Sequence, residues 1–185
     1  MNRENVWTTY EEADIKALEG LCKEYKDFLS NGKTERECIT QIVKEAEEAG
    51  YVSLEEKVKN GEALKAGDKV YQVGMQKIIA LYHIGEEDLA QGMNILCAHI
   101  DSPRLDIKQN PLYEDTDLAY LDTHYYGGVK KYQWVALPMA MHGVIVKKDG
   151  TVVNVTVGED EDDPVLYITD LLIHLAGQQM AKKAS

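Results

Sequence analysis

Six residues constrain the fold of this chain more than any others: Met93-Asn-Ile-Leu-Cys-Ala98, a short apolar run without polar alternation. A strand with one wet face alternates. An unbroken run suits a central strand buried on both faces. The run leads straight into His99-Ile100-Asp101-Ser102-Pro103. In an extended chain residues i and i+2 point to one face. His99 and Asp101 are therefore expected on one side, with the carboxylate near enough to orient the imidazole. Strand carboxyl ends are where open α/β sheets place their ligands. A metal-bound histidine usually donates its other ring N–H to a carboxylate or carbonyl. Taken alone, His-x-Asp is a weak signal. A structural histidine at 99 and a turn carboxylate at 101 explain the same residues.

The chain up to Gly50 reads as two one-sided helices. Thr9-Tyr-Glu-Glu12 fits a capping box, and Leu18, Leu21, Cys22, Tyr25, Phe28 and Leu29 follow at helical spacing until Ser30-Asn31-Gly32. Thr34-Glu-Arg-Glu37 is a second capping box, followed by Ile39, Ile42, Val43 and Ala46 and stopped at Gly50. Residues 69–73 and 77–82 read as strands around Gly74, and 105–108 as a strand stopped by Asn110-Pro111. Residues 140–147 and 151–157 are β-rich, and Lys148-Asp149-Gly150 between them predicts a hairpin. Residues 159–163 form an acidic run, expected as a solvated loop. Residues 165–175 are apolar and fit strand or helix.

Composition narrows the partners. Twenty basic residues against 32 acidic ones give a net charge of −12. Phosphate binding needs clustered Lys and Arg, so nucleic acid and anionic membrane are unexpected partners. No apolar run is long enough to span a bilayer. Cys22, Cys38 and Cys97 show no metal-finger spacing and read as reduced thiols in a cytoplasmic protein.

The stretch Ala98-His99-Ile-Asp101-Ser102-Pro103-Arg-Leu105-Asp-Ile-Lys108 resembles the first metal motif of the aspartyl aminopeptidase and vacuolar aminopeptidase I family of zinc metallopeptidases. The paired N-terminal helices, Gly67-Asp68-Lys69, Tyr126-Gly127-Gly128 and Leu171-Leu-Ile-His174-Leu175 occur in similar order in that family. The resemblance covers essentially the whole chain. After Tyr126-Gly-Gly the sequence departs from the family's usual Asp-Arg-Asp run, as in a divergent bacterial branch.

The resemblance implies a fold and a chemistry. Residues 1–109 would be the N-terminal portion of an α/β zinc-peptidase domain. Residues 110–185 would be part of a β-rich insert that carries dimer contacts, making the protein a homo-oligomer. The activity would be removal of N-terminal residues, typically acidic ones, from a peptide substrate by a two-zinc site. His99 would be a metal ligand and Asp101 its orienting carboxylate. His174 would reach a partner subunit's site. Family members are more than twice as long, and their remaining ligands lie in the second half. The chain is thus expected to be an N-terminal fragment, inactive alone, with exposed apolar surface.

Other readings compete. A non-catalytic self-association or interaction module needs no complete site. A cysteine hydrolase using Cys97 and His99 needs an accessible thiol of lowered pKa, whereas a small buried thiol is the ordinary expectation for Cys97. Ser102 lacks a nucleophile elbow. Tyr126-Gly127-Gly128 reads as a backbone device for positive φ or close approach. His83, His124 and His142 show no ligand pattern.

Overall fold

A computed structural model describes residues 4–183. The chain divides into two compact units, Met1–Ile100 and Asp101–Ser185.

The first unit opens with helices α1 (Glu12–Asn31) and α2 (Glu35–Glu48). α1 does not start where Thr9 suggested. The Thr9 hydroxyl donates instead to the Val6 carbonyl at 2.8 Å, closing the preceding 3-10 turn. Glu11 becomes the cap, and its N–H donates to the Asp14 carboxylate at 3.0 Å. α2 starts as expected: Thr34 N–H donates to Glu37 Oε2 at 2.8 Å and Glu37 N–H to Thr34 Oγ1 at 3.3 Å. It ends in a Schellman motif, with Gly50 at φ +85° and Tyr51 N–H donating to the Ala46 carbonyl at 2.9 Å.

A short strand β1 (Val52–Ser53) and helix α3 (Leu54–Lys59) follow, neither of them anticipated; Ser53 caps α3. Strands β2 (Lys69–Gly74) and β3 (Ile78–His83) pair antiparallel around Gly74 as expected, and β1 adds in parallel to β2. The buried residues here are Cys38, Ile39 and Ala46 of α2 and Val70 of β2. Ile39 and Val70 are fully buried, each such side chain contributing about 2 kcal/mol. The Cys38 thiol lies 3.7 Å from the Ile100 carbonyl, so the segment ending this unit is tied to α2.

Residues 93–98 do not form the expected central strand. They are unpaired coil, and Leu96 is 99% exposed. A strand buried on both faces needs a neighbour on each side and a layer above and below; the described residues of this unit supply neither.

The second unit is built of two hairpins. β4 (Arg104–Asp115) and β5 (Leu118–Tyr126) form an antiparallel ribbon. Asn110-Pro111 was expected to stop β4, yet the strand continues through it. A register shift between Ile107 and Leu112 absorbs the proline in a bulge, and a two-stranded ribbon leaves β4 a free edge where a missing N–H costs nothing. Tyr113 and Tyr120, opposite in register, stack at 5.2 Å. The second hairpin, β6 (Met141–Val146) and β7 (Val152–Val157), forms as expected around Asp149-Gly150, with Gly150 at φ +86°. The acidic run is a loop in which Asp163 accepts from Gly158 N–H at 2.7 Å. Residues 165–175 contain neither a strand nor a helix; isolated bridges join Ile168 to Val135 and Leu166 to Met139. Ala176, just before the single-turn α4 (Gly177–Met180), is buried.

Candidate metal-peptidase site

His99 closes the exposed coil of the first unit and is itself exposed. Its backbone path is fixed one residue later by the Cys38–Ile100 contact. Burial pushes the Cys38 thiol up, helped by the charges of Glu37 and Glu35, which suits an inert structural thiol. Cys97, expected to be a buried thiol, is exposed, because the strand that was to bury it does not form.

Asp101 begins the second unit and is half-buried. Tyr126, the last residue of β5, donates its hydroxyl to Asp101 Oδ2 at 2.9 Å. Arg104 lies opposite Tyr126 in the ladder and places its guanidinium carbon 4.1 Å from the Tyr126 ring centroid. Its Nε donates to Asp106 Oδ1 at 2.7 Å. Gly127 takes φ +73° and would bring a Cβ within 3.5 Å of Pro103 Cα. Tyr-Gly-Gly is thus the backbone device its composition suggested: Gly127 allows the left-handed turn beside Pro103. The ring of Tyr126 was not foreseen as a partner of Asp101, because the pairing of β4 with β5 could not be read from either strand alone.

His174 is exposed in a turn of the second unit. His142 Nε2 lies 2.8 Å from Glu159 Oε1, a polar contact that ties β6 to the acidic loop. No ligand spacing announced it, although the acidic run beside a hairpin holding a histidine was a usable signal. In the first unit a depression of about 400 Å³ is lined by Lys57, Asp68 and Lys69 among others, and His99 is not among its lining residues.

Zinc takes imidazole and carboxylate donors, normally three or four. His99 is a donor of that kind. Among the described residues, however, no group of three or more His, Cys, Asp and Glu could hold a metal ion. The residues present match part of a zinc donor set and do not complete one.

Comparison with known proteins gives first the class, that of zinc metallopeptidases. A family model described as aminopeptidase I zinc metalloprotease (M18) matches residues 28–185. The chain belongs to this M18 family. It is 59% identical over 98% of its length to a probable M18 family aminopeptidase 1 of Clostridium acetobutylicum, covering 39% of that protein. It is 44% identical to the Thermotoga maritima counterpart, covering 95% of this chain and 37% of that one. Among solved structures it is similar to aminopeptidase I from Clostridium acetobutylicum, with a TM-score of 0.84 at 57% identity, covering 100% of this chain and 41% of that chain. It is also similar to aminopeptidase I from Borrelia burgdorferi, with a TM-score of 0.83 at 37% identity, covering 92% and 41%. The chain therefore spans about two fifths of the length of the relatives it matches. The mixed α/β fold matches a portion of the M18 peptidase structures.

Proposed function

We propose that this chain carries the His-x-Asp portion of a metal-dependent aminopeptidase that removes N-terminal residues, acidic ones by preference, from peptides. The observation that carries the reading is His99-Ile-Asp101-Ser-Pro103 lying inside the span matched by the M18 family model. In this reading His99 is one metal ligand and Asp101 orients it. Zinc, when bound, activates water and polarises the scissile carbonyl. Residues 1–109 belong to the peptidase domain and 110–185 to a β-rich insert bearing the contacts of a homo-oligomer. His174 reaches the site of a neighbouring subunit. The three free cysteines suit the cytoplasm. One imidazole does not hold zinc tightly, so the 185 residues by themselves hydrolyse nothing.

The test compares the natural polypeptide that carries this sequence with the isolated 185-residue chain on Asp-, Glu- and Leu-anilide substrates. The natural polypeptide is expected to cleave them, to lose activity in chelator, to regain it with zinc and to lose it in His99→Ala. The isolated chain is expected to be inactive. Chelator-insensitive cleavage, or an active His99→Ala variant, overturns the reading. A second reading, a self-association module without catalysis, draws on the exposed apolar side chains of residues 93–96 and 171–175. It gains if the natural polypeptide oligomerises and cleaves nothing.

A further inference from the structure

The dipeptide Asn-Gly occurs at Asn31-Gly32 and again at Asn60-Gly61. An asparagine followed by glycine carries a reaction of its own. Once a solvent base has taken the glycine N–H proton, the backbone nitrogen can attack the asparagine Cγ. The new N–Cγ bond closes a succinimide ring, the Cγ–Nδ2 bond breaks, and ammonia leaves with a proton from water. Water then opens the ring at either carbonyl and gives aspartate or isoaspartate. A Cβ on the following residue would crowd the attack; glycine has none, and its free φ and ψ let the nitrogen reach Cγ. In both places the glycine N–H is hydrogen-bonded, to the Phe28 carbonyl at 2.9 Å for Gly32 and to the Val58 carbonyl at 3.0 Å for Gly61. Each must open before it reacts, so reactivity follows the cost of local opening.

The two openings differ. Asn31 ends α1, a helix of 20 residues, and α2 grips the next residue. A Cβ on Gly32 would lie 2.8 Å from Cys38 Sγ and 3.0 Å from Gln41 Nε2. Gln41 Nε2 donates at 3.2 Å to the Phe28 carbonyl, the one that also receives Gly32 N–H. The Asn31 amide is occupied too, its Nδ2 donating to the Asp27 carbonyl at 2.9 Å. Asn60 instead follows α3, a helix of 6 residues, too short to be stable by itself. Asn60 and Gly61 are exposed, residues 62–65 beyond them are exposed coil, and a Cβ on Gly61 would meet nothing within 4 Å. The Asn60 Nδ2 donates to Glu62 Oε1 at 3.3 Å, a partner that moves with the same segment.

We infer that Asn60-Gly61 is a site of spontaneous deamidation through a succinimide, and that the fold protects Asn31-Gly32. The product changes its surroundings. A carboxylate at residue 60 faces Glu62, which shares Lys57 with Asp68 at 3.2 and 3.5 Å. It also stands at the C-terminal end of α3, where the helix dipole disfavours an anion. Isoaspartate further lengthens the main chain by one carbon where Gly61 and Glu62 N–H close the helix on the Val58 and Lys57 carbonyls. Modification therefore loosens the end of α3.

The test incubates the natural polypeptide carrying this chain in heavy-oxygen water at mildly alkaline pH, digests it with trypsin in ordinary water and weighs the peptides. Cleavage after Lys26, Lys33, Lys59 and Lys65 puts the two dipeptides in separate peptides. Heavy oxygen marks only conversion that precedes digestion. The residue-60 peptide is expected to take up heavy oxygen at least about tenfold faster than the residue-31 peptide, because a short exposed element opens more cheaply than a packed one. In urea the two are expected to react at similar rates. Asn60→Gln, whose longer side chain closes a ring slowly, should remove the label from its peptide. A methyltransferase specific for isoaspartate should modify the aged parent more than the aged variant. Equal rates at the two sites in the folded protein overturn the inference, as does an unlabelled residue 60 while urea releases both. Neither result touches the aminopeptidase reading.

Discussion

Tyr71 on β2 donates its hydroxyl to Glu47 Oε1 at 2.7 Å, joining the sheet to α2. That hydrogen bond, with smaller contributions from burial and from the Glu47 charge, pushes its pKa up to about 12. The folded value lies above the unfolded one. The linked stability is therefore fully present below the ordinary tyrosine pKa of about 10 and is lost as pH rises through about 12. Ultraviolet titration of tyrosinate should show one late-titrating residue that disappears in Tyr71→Phe. The variant should also flatten the loss of stability between those two pH values. An unchanged late titration in Tyr71→Phe would assign it to another tyrosine. Chemistry at this scale was only partly legible in the sequence. The His99 and Asp101 types are plain in their motif, but the Tyr126 hydroxyl, the Tyr71–Glu47 bond and the His142–Glu159 pair join residues far apart in sequence. No local pattern encodes the first two, and only the acidic run beside the hairpin hinted at the third.

The elements that were legible are those whose information is local. Thr34 and Glu37 satisfy each other's backbone N–H groups within one turn, and Asp149-Gly150 closes a hairpin whose two strands are adjacent in sequence. Thr9 and Thr34 present the same pattern, yet only Thr34 caps, because Thr9 is taken by the Val6 carbonyl. The contrast is measurable. Thr34→Ala should cost about 1 kcal/mol in urea unfolding, whereas Thr9→Ala should stay within about 0.5 kcal/mol of the parent. Equal losses would mean that Thr9 caps α1 after all. β5 escaped notice because its turn uses Thr116 and Asp117, both at positive φ, where a glycine would have announced the hairpin. The run 93–98 failed in the opposite way: its pattern is clear, but a central strand exists only through its neighbours.

The accessible surface is 16074 Å² for a chain of 20.8 kDa. A compact monomer of that mass exposes about 9,000 Å², and two separate domains of half the mass about 11,000 Å². Part of this surface is apolar. Leu96, Ile95, Met93, Leu172, Ile173 and Leu175 are all 65% exposed or more, and among the described residues the buried hydrophobic ones are only Cys38, Ile39, Ala46, Val70 and Ala176. Apolar area is worth about 25 cal/mol per Å² when removed from water, so a chain left with this surface gains by covering it. The charge of −12 opposes close approach of copies, but over distances beyond about 8 Å it is screened at physiological salt, while apolar contact acts at shorter range. The isolated 185-residue chain should therefore self-associate in light scattering and bind a hydrophobic dye. Association should strengthen with salt, because salt weakens the repulsion and leaves the attraction. Association that weakens with salt would point to charged contacts. A monodisperse monomer without dye binding would mean that residues 93–96 and 171–175 find cover within one chain.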